Sequence, residues 1–239
     1  GIVLNERPCD YYYVTPGHQV PTGVTMSSAR RRQLLEHAAR HDAVIIEDDY
    51  DSESNFTLNP LPALKASDRS GRVVYVSSLS KALSPGLRLG FMVADPDLID
   101  EARALRRLVY RHPPTNIQYQ MAHFLAQGHY ETHLRRYHYD SAQRWERLHA
   151  ALQRYLPSCR ALAGSEHANA FWLQTPAQIN TQQLTWRAAH AGVLIEPGAR
   201  HFLSAAPPDN YFRMGFHAIN PDAIAQGVEV LRGQLEQMG

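Results

Sequence analysis

The chain has 239 residues, 44% of them hydrophobic, and a formal net charge of +1 at pH 7. That length supports a substantial core in one or two domains. So small a charge provides no global field to draw the chain to nucleic acid or an anionic membrane. No apolar run approaches a membrane span, no amino-terminal segment reads as a signal peptide, and Cys9 and Cys159 are the only cysteines, so a reduced, cytoplasmic protein is expected.

In chain order, residues 10–14 (Asp-Tyr-Tyr-Tyr-Val) read as a strand closed by Pro16-Gly17 and by Pro21-Thr22-Gly23. Ser27 is placed to cap a helix running to about Arg40, with Leu34, Leu35, Ala38 and Ala39 on its apolar side. A strand over 43–48 completes a βαβ unit, whose crossover is expected to be right-handed. Residues 52–70 read as loop, with a short helical turn at Leu61-Pro62-Ala63-Leu64. The run Arg72-Val73-Val74-Tyr75-Val76 is a buried strand, and another is expected over 89–94. From Pro96 the period becomes helical: 97–111, then 115–128 after His112-Pro113-Pro114, then a long helix over 130–156. The remainder alternates as strand 170–174, helix 180–191, a short strand before Glu196-Pro197-Gly198, strand 211–216 and helix 221–238.

Two of these stretches carry chemistry. After the strand at 72–76 comes Ser77-Ser78-Leu79-Ser80-Lys81, followed within a few residues by Arg88. The lysine thus stands just past a strand's carboxyl end, where open α/β sheets place ligands. Apolar surroundings with hydroxyl neighbours are the setting in which a lysine amine forms a Schiff base. The second stretch, Asp42 to Asp51, is an apolar strand ending abruptly in Glu47-Asp48-Asp49-Tyr50-Asp51. Alternation sends Asp48 and Tyr50 to one side and Glu47 and Asp49 to the other. A carboxylate, a phenol, a lysine, serines and an arginine at neighbouring strand ends suit pyridoxal phosphate. Lys81 would bind its aldehyde, Asp48 would keep its ring nitrogen protonated, Tyr50 would donate to the ring oxygen, and Ser78, Ser80 and Arg88 would hold the phosphate.

At these residues the sequence resembles the fold-type I aminotransferases, and most closely the aminotransferase-like domain of MocR/GabR-type regulators of the GntR superfamily. The matching segments are Val14-Thr15-Pro16-Gly17-His18-Gln19-Val20-Pro21-Thr22-Gly23, Ile46-Glu47-Asp48-Asp49-Tyr50-Asp51-Ser52-Glu53, Ser80-Lys81-Ala82-Leu83-Ser84-Pro85-Gly86-Leu87-Arg88-Leu89-Gly90, and Tyr211-Phe212-Arg213-Met214-Gly215-Phe216. The resemblance implies an α/β, fold-type I protein: a partial large domain with a mainly parallel sheet over 1–130, then a small α+β domain over 131–239 entered by the long helix. It makes Lys81 the Schiff-base lysine, Asp48 the partner of the pyridine nitrogen and Tyr50 that of the ring oxygen. Ser78, Ser80 and Arg88 become phosphate ligands, and Arg213 becomes the arginine for the carboxylate of a ligand or substrate. Complete domains of the resembled family are longer, so an upstream part is expected to be missing and the cofactor site to be incomplete.

One position departs from the enzymes. Where catalytic aminotransferases of this group carry asparagine before Pro-Thr-Gly, this chain has Val20, as MocR-type domains commonly have an apolar residue there. The resemblance therefore implies first a pyridoxal-phosphate-binding sensor of amino compounds. It would belong to a homodimeric transcriptional regulator that meets DNA only through a separate winged-helix domain. The alternative is a working aminotransferase with Lys81 as general base, and a third reading is a remnant that has the fold but binds no cofactor.

Rival motifs are weaker. His129 and His133 have metal-ligand spacing, but no glutamate-bearing motif surrounds them, and no metal is expected. Arginines 103, 106, 107, 111, 135, 136, 144 and 147 are interleaved with acidic residues and read as an ion-paired, solvated surface. Asp49, Asp51 and Glu53 read as polar loop residues, since no glycine turn organises them around a divalent ion.

Overall fold

Tyr11–Val14 (β1) is aromatic and β-branched throughout, a composition that fits the pleated surface of a sheet. A computed structural model describes residues 9–51, 53, 56, 61–162 and 169–238. The chain divides into two units, Gly1–Gln19 with Thr25–Tyr137, and Val20–Val24 with His138–Gly239. In the first unit Ser28–Arg40 (α1) follows β1, and Val44–Asp49 (β2) returns parallel to β1 with Tyr11 beside Val44 and Val14 beside Glu47. After Leu64–Ser67 (α2), Val73–Ser78 (β3) pairs parallel to β2, and Gly90–Val93 (β4) closes the sheet antiparallel to β3. The order is β1-β2-β3-β4, the mainly parallel α/β sheet that the sequence leads one to expect.

α1 begins where Ser27 predicts. The Ser27 Oγ accepts the Arg30 amide at 3.4 Å, satisfying one of the donors that a first helical turn leaves open. Leu34 and Ala38, one turn apart, are buried with Val14, Ala43, Ile45, Leu64 and Val73 to form this unit's core. Leu34→Ala would leave a cavity there at a cost of about 2–5 kcal/mol. Arg31 lies buried too, and its guanidinium donates to the carbonyls of Pro16 (2.9 Å), Met26 (2.9 Å) and Pro62 (2.5 Å). One cation thereby ties three loop segments to α1. The helix ends at His41, and Asp42, in the left-handed region at φ 55°, turns the chain into β2.

β2 carries a charge into the core. Glu47 is 1% exposed, and its two oxygens accept the amides of Leu64 at 2.7 Å and Lys65 at 2.9 Å. This explains why the predicted turn at 61–64 appears later, as Leu64–Ser67: the carboxylate fixes which amides open the helix. Most of the predicted loop over 52–60 lies outside the described residues. Beyond β4 come Pro96–Val109 (α3), capped by Asp95, then Thr115–Ala126 (α4) and the 27-residue His129–Tyr155 (α5), which continues past Tyr137.

In the second unit, Arg160–Ala161 (β5), Ala170–Gln174 (β6), Glu196–Pro197 (β7) and Tyr211–Gly215 (β8) form an antiparallel sheet in the order β5-β6-β8-β7. Thr181–His190 (α6) lies between β6 and β7, and Ile224–Glu236 (α7) follows β8. Leu148 and Leu152 of α5, Phe171 and Leu173 of β6, Leu184 of α6, Phe212 of β8, and Val228 and Leu231 of α7 are all buried. The helix expected over 221–238 starts as a 3-10 turn, Pro221–Ala223, because Asn220 caps the Asp222 amide at 3.1 Å before the α-helical pattern begins. β5 is only two residues long and carries no pattern that predicts it.

Candidate functional site

The strand register brings the two motif stretches to one end of the first sheet. Asp48 stands beside Val76 and Asp49 beside Ser77, so the carboxylates of β2 and the serines of β3 leave neighbouring parallel strands together. The Ser77 Oγ donates to the Asp49 carbonyl at 2.9 Å, and the Tyr75 hydroxyl donates to Asp49 Oδ2 at 2.7 Å. β4 closes in on this end through Gly90, where a Cβ would come within 2.8 Å of the Ser77 carbonyl oxygen. Only glycine allows that approach.

The turn that carries Lys81 is pinned from three sides. The Leu79 amide donates to the Leu89 carbonyl at 3.0 Å, and the Leu83 amide to the Leu79 carbonyl at 3.3 Å. From α5, His133 Nε2 lies 2.6 Å from the Ala82 carbonyl, an oxygen that can only accept. His133 is therefore engaged with the lysine turn, and among the described residues no group of three or more His, Cys, Asp and Glu is placed to hold a metal ion.

Lys81 itself closes a ring of four residues, one link of which is a backbone carbonyl. Its Nζ is 2.8 Å from Asp51 Oδ1 and lies over the Tyr50 ring, 4.2 Å from the centroid. Asp51 Oδ2 is 3.2 Å from His18 Nδ1, and the Tyr50 hydroxyl donates to the His18 carbonyl at 3.1 Å. Asp51 and His18 are 3% and 5% exposed, whereas the Lys81 side chain is 37% exposed. Burial alone pushes the Asp51 carboxyl up, but the hydrogen bond from His18 and the charge of Lys81 outweigh it and hold the group below the usual carboxylate range. Asp51 therefore departs from the expectation of a polar loop residue: thirty-three residues separate it from His18 in sequence, and the fold alone makes it the buried partner of the lysine.

The other predicted residues divide by environment. The Ser78 Oγ accepts the Ser80 amide at 3.2 Å, so the two serines adjoin. Arg88 is exposed, sits in the left-handed region at φ 49°, and meets no acceptor among the described residues. Asp48 accepts a hydrogen bond from the Tyr13 hydroxyl, and that bond with the carboxylate's charge pushes the exposed phenol up to about 12. Tyr13 reads in the sequence as a strand residue with no role in the site. Its signal was positional, since it stands on the strand beside β2, two residues before the Thr-Pro-Gly loop. Arg213 belongs to the second unit. It lies on β8 between Trp172 of β6 and Glu196 of β7, with Nη1 3.4 Å from Glu196 Oε2, and Glu196 also pairs with Arg200 and His201.

Lys81 is one of only two lysines among the chain's 24 Lys and Arg residues. The other, Lys65, is spent on structure, its Nζ donating to the Val73 carbonyl at 2.7 Å and pairing with Asp68 at 3.5 Å. A cleft of about 410 Å³ in the second unit, lined by Arg154, Tyr155, Ile179 and Arg232 among others, contains none of the motif residues.

Comparison with known proteins places the chain in a family. Residues 14–231 match the aminotransferase class I and II family. The chain is 39% identical over 232 residues to the HTH-type transcriptional regulator TauR of Rhodobacter capsulatus, covering 95% of this chain and 47% of that protein. It is 34% identical to the probable rhizopine catabolism regulatory protein MocR of Rhizobium meliloti, covering 92% of this chain and 44% of that one. The chain thus spans about half the length of the curated relatives it matches. Among solved structures, the kynurenine aminotransferase of Pyrococcus horikoshii, determined in complex with PMP, superposes with a TM-score of 0.86 at 28% identity, over 95% of this chain and 56% of that one.

Proposed function

This chain belongs to the aminotransferase class I and II family, and on that premise we propose that it is the pyridoxal-phosphate-binding, amino-compound-sensing domain of a MocR-type transcriptional regulator. The observation that carries the proposal is Lys81, an amine at the end of a parallel strand, lying over Tyr50 and held by a buried carboxylate. The donor set fits the cofactor. Arg88, without an acceptor among the described residues, and the adjoining Ser78 and Ser80 offer a guanidinium and hydroxyls to a phosphate. Asp48 offers a carboxylate to a pyridinium nitrogen and Tyr50 a phenol to the ring oxygen, once Asp48 gives up the Tyr13 hydroxyl and Tyr50 the His18 carbonyl. Bound there, the cofactor supplies an aldehyde that captures amines and a ring that accepts electrons.

Arg213 is assigned to the carboxylate of the amino compound, which would compete with Glu196 for its guanidinium. The full regulator is proposed to be cytoplasmic and homodimeric and to bind DNA through a winged-helix domain outside this chain. No helix among the described residues is long and apolar enough to cross a membrane. The sensor reading is preferred to a catalytic aminotransferase because Val20 offers no polar group where the enzymes carry asparagine and because the relatives TauR and MocR are regulators by name.

Incubating the chain with pyridoxal phosphate, reducing with borohydride and mapping the adduct by mass spectrometry tests this. A reduced adduct on Lys81 is expected, and Lys81→Ala should lose both the adduct and the absorbance band. A band that persists in Lys81→Ala would sink the assignment of this lysine.

A further inference from the structure

Asp51 has no part in the roles assigned above, yet it is the most deeply buried charge beside the reactive amine. A carboxylate this buried is costly unless it is paired and hydrogen-bonded. Here one oxygen meets Lys81 Nζ at 2.8 Å and the other meets His18 Nδ1 at 3.2 Å. His18 is itself fixed, since its ring is buried and its carbonyl accepts the Tyr50 hydroxyl. The carboxylate therefore has little freedom to turn away from the lysine. Lys81 stands between Asp51 and the electron-rich face of Tyr50, two features that both favour a cation at that point.

We propose that Asp51, oriented by His18, is a positioning residue that holds the Lys81 nitrogen as an ion-paired ammonium whenever that nitrogen is not bonded to the cofactor. Such a nitrogen has no lone pair to offer. Until it sheds its proton it neither attacks a carbonyl nor takes a proton from a ligand's carbon. The consequence for the site is binding without turnover: an amino compound captured by the aldehyde remains as bound, because the group that would move its proton is held in an ion pair. The inference rests on the proposed function for its meaning in the complete protein. The hold of Asp51 on Lys81 is a property of the chain alone.

The test is competitive acetylation of the cofactor-free chain with acetic anhydride, reading Lys81 by mass spectrometry against Lys65 as internal reference. Lys65 is bound to a backbone carbonyl and to Asp68, groups that do not touch Asp51. In Asp51→Asn the Lys81 rate should rise about tenfold relative to Lys65, the factor by which one close opposite charge favours the ammonium. Asp51→Glu should restore part of the protection. An Asp51→Asn protein labelled at the wild-type ratio would overturn the proposal. If that variant does not fold, His18→Gln replaces it: freeing one oxygen of Asp51 should raise the ratio about two- to threefold, and no rise there overturns the proposal as well. With pyridoxal phosphate and an amino acid added, Asp51→Asn should convert the cofactor to its amine form faster than wild type. The borohydride adduct separates the two ideas. Increased acetylation without an adduct on Lys81 refutes the cofactor reading and leaves the role of Asp51 standing, whereas an adduct with unchanged acetylation does the reverse.

Discussion

Two buried carboxylates stand four residues apart on the same stretch of chain, each near one of the two lysines, and they do opposite work. Glu47 receives two backbone amides, and the neighbouring Lys65 gives its ammonium to a backbone carbonyl. Asp51 receives a histidine and a lysine, both through side chains. Backbone groups cannot leave without unfolding the segment that bears them, so the Glu47 region is architecture. The partly exposed Lys81 side chain can rotate away or be captured, so the Asp51 region is interruptible. The difference lies in what satisfies each charge, since both carboxylates are almost wholly buried.

The largest effect that would break this contrast is chemical. Lys81→Ala should abolish the borohydride adduct, while Lys65→Ala should leave it intact; equal adducts on both lysines would erase the distinction. Next comes stability. Glu47→Ala strands two buried amides at the start of α2 and should cost about 3 kcal/mol in urea denaturation, whereas Asp51→Asn, which keeps one acceptor oxygen and faces a partly exposed lysine, should cost about 1–2 kcal/mol. A larger loss at Asp51 than at Glu47 would mean that the lysine ring carries the fold.

Acid sharpens the comparison further, because the two groups have opposite signs. Asp51 is held below its ordinary range, so its ionised form contributes stability above about pH 4, and the contribution is lost as pH falls through the depressed folded value. Burial pushes Glu47 up against the pull of its two amides, so its contribution is present below about pH 4.5 and is lost as pH rises through the raised folded value. Urea midpoints of wild type, Asp51→Asn and Glu47→Gln measured across this range should give difference curves of opposite slope. The smallest effect is expected at His133. Removing its ring in His133→Ala leaves the Ala82 carbonyl unpaired and should cost about 1 kcal/mol, with faster amide exchange confined to residues 79–83.

The comparison also marks what the sequence could and could not disclose. Ser27 as a cap, the alternation along 44–49 and the serines before Lys81 are local signals, and each appears where the residues place it. Asp51 was invisible in that way: one acidic residue in a run of several, its burial depends on His18 folding back from a loop thirty-three positions earlier. Arg31 is similar, an arginine in an Arg-Arg-Arg run that becomes buried only because three carbonyls from separate segments converge on it. The late start of α2 was hidden for the same reason, since its first amides answer to a side chain in another strand. Contacts between residues near in sequence could be read, and those assembled by topology could not.

The scarcity of lysine has a consequence of its own. Amines throughout a cell attack free carbonyl metabolites, and under the proposed function Lys81 must meet one carbonyl compound, the cofactor, against that background. Guanidinium groups stay charged at neutral pH and are poor partners for such chemistry. By drawing its surface cations almost entirely from arginine and spending Lys65 internally, the chain leaves Lys81 as the one lysine nitrogen open to a cofactor's aldehyde. Few decoys surround it, and a scarce cofactor need not be lost to adducts elsewhere on the same chain.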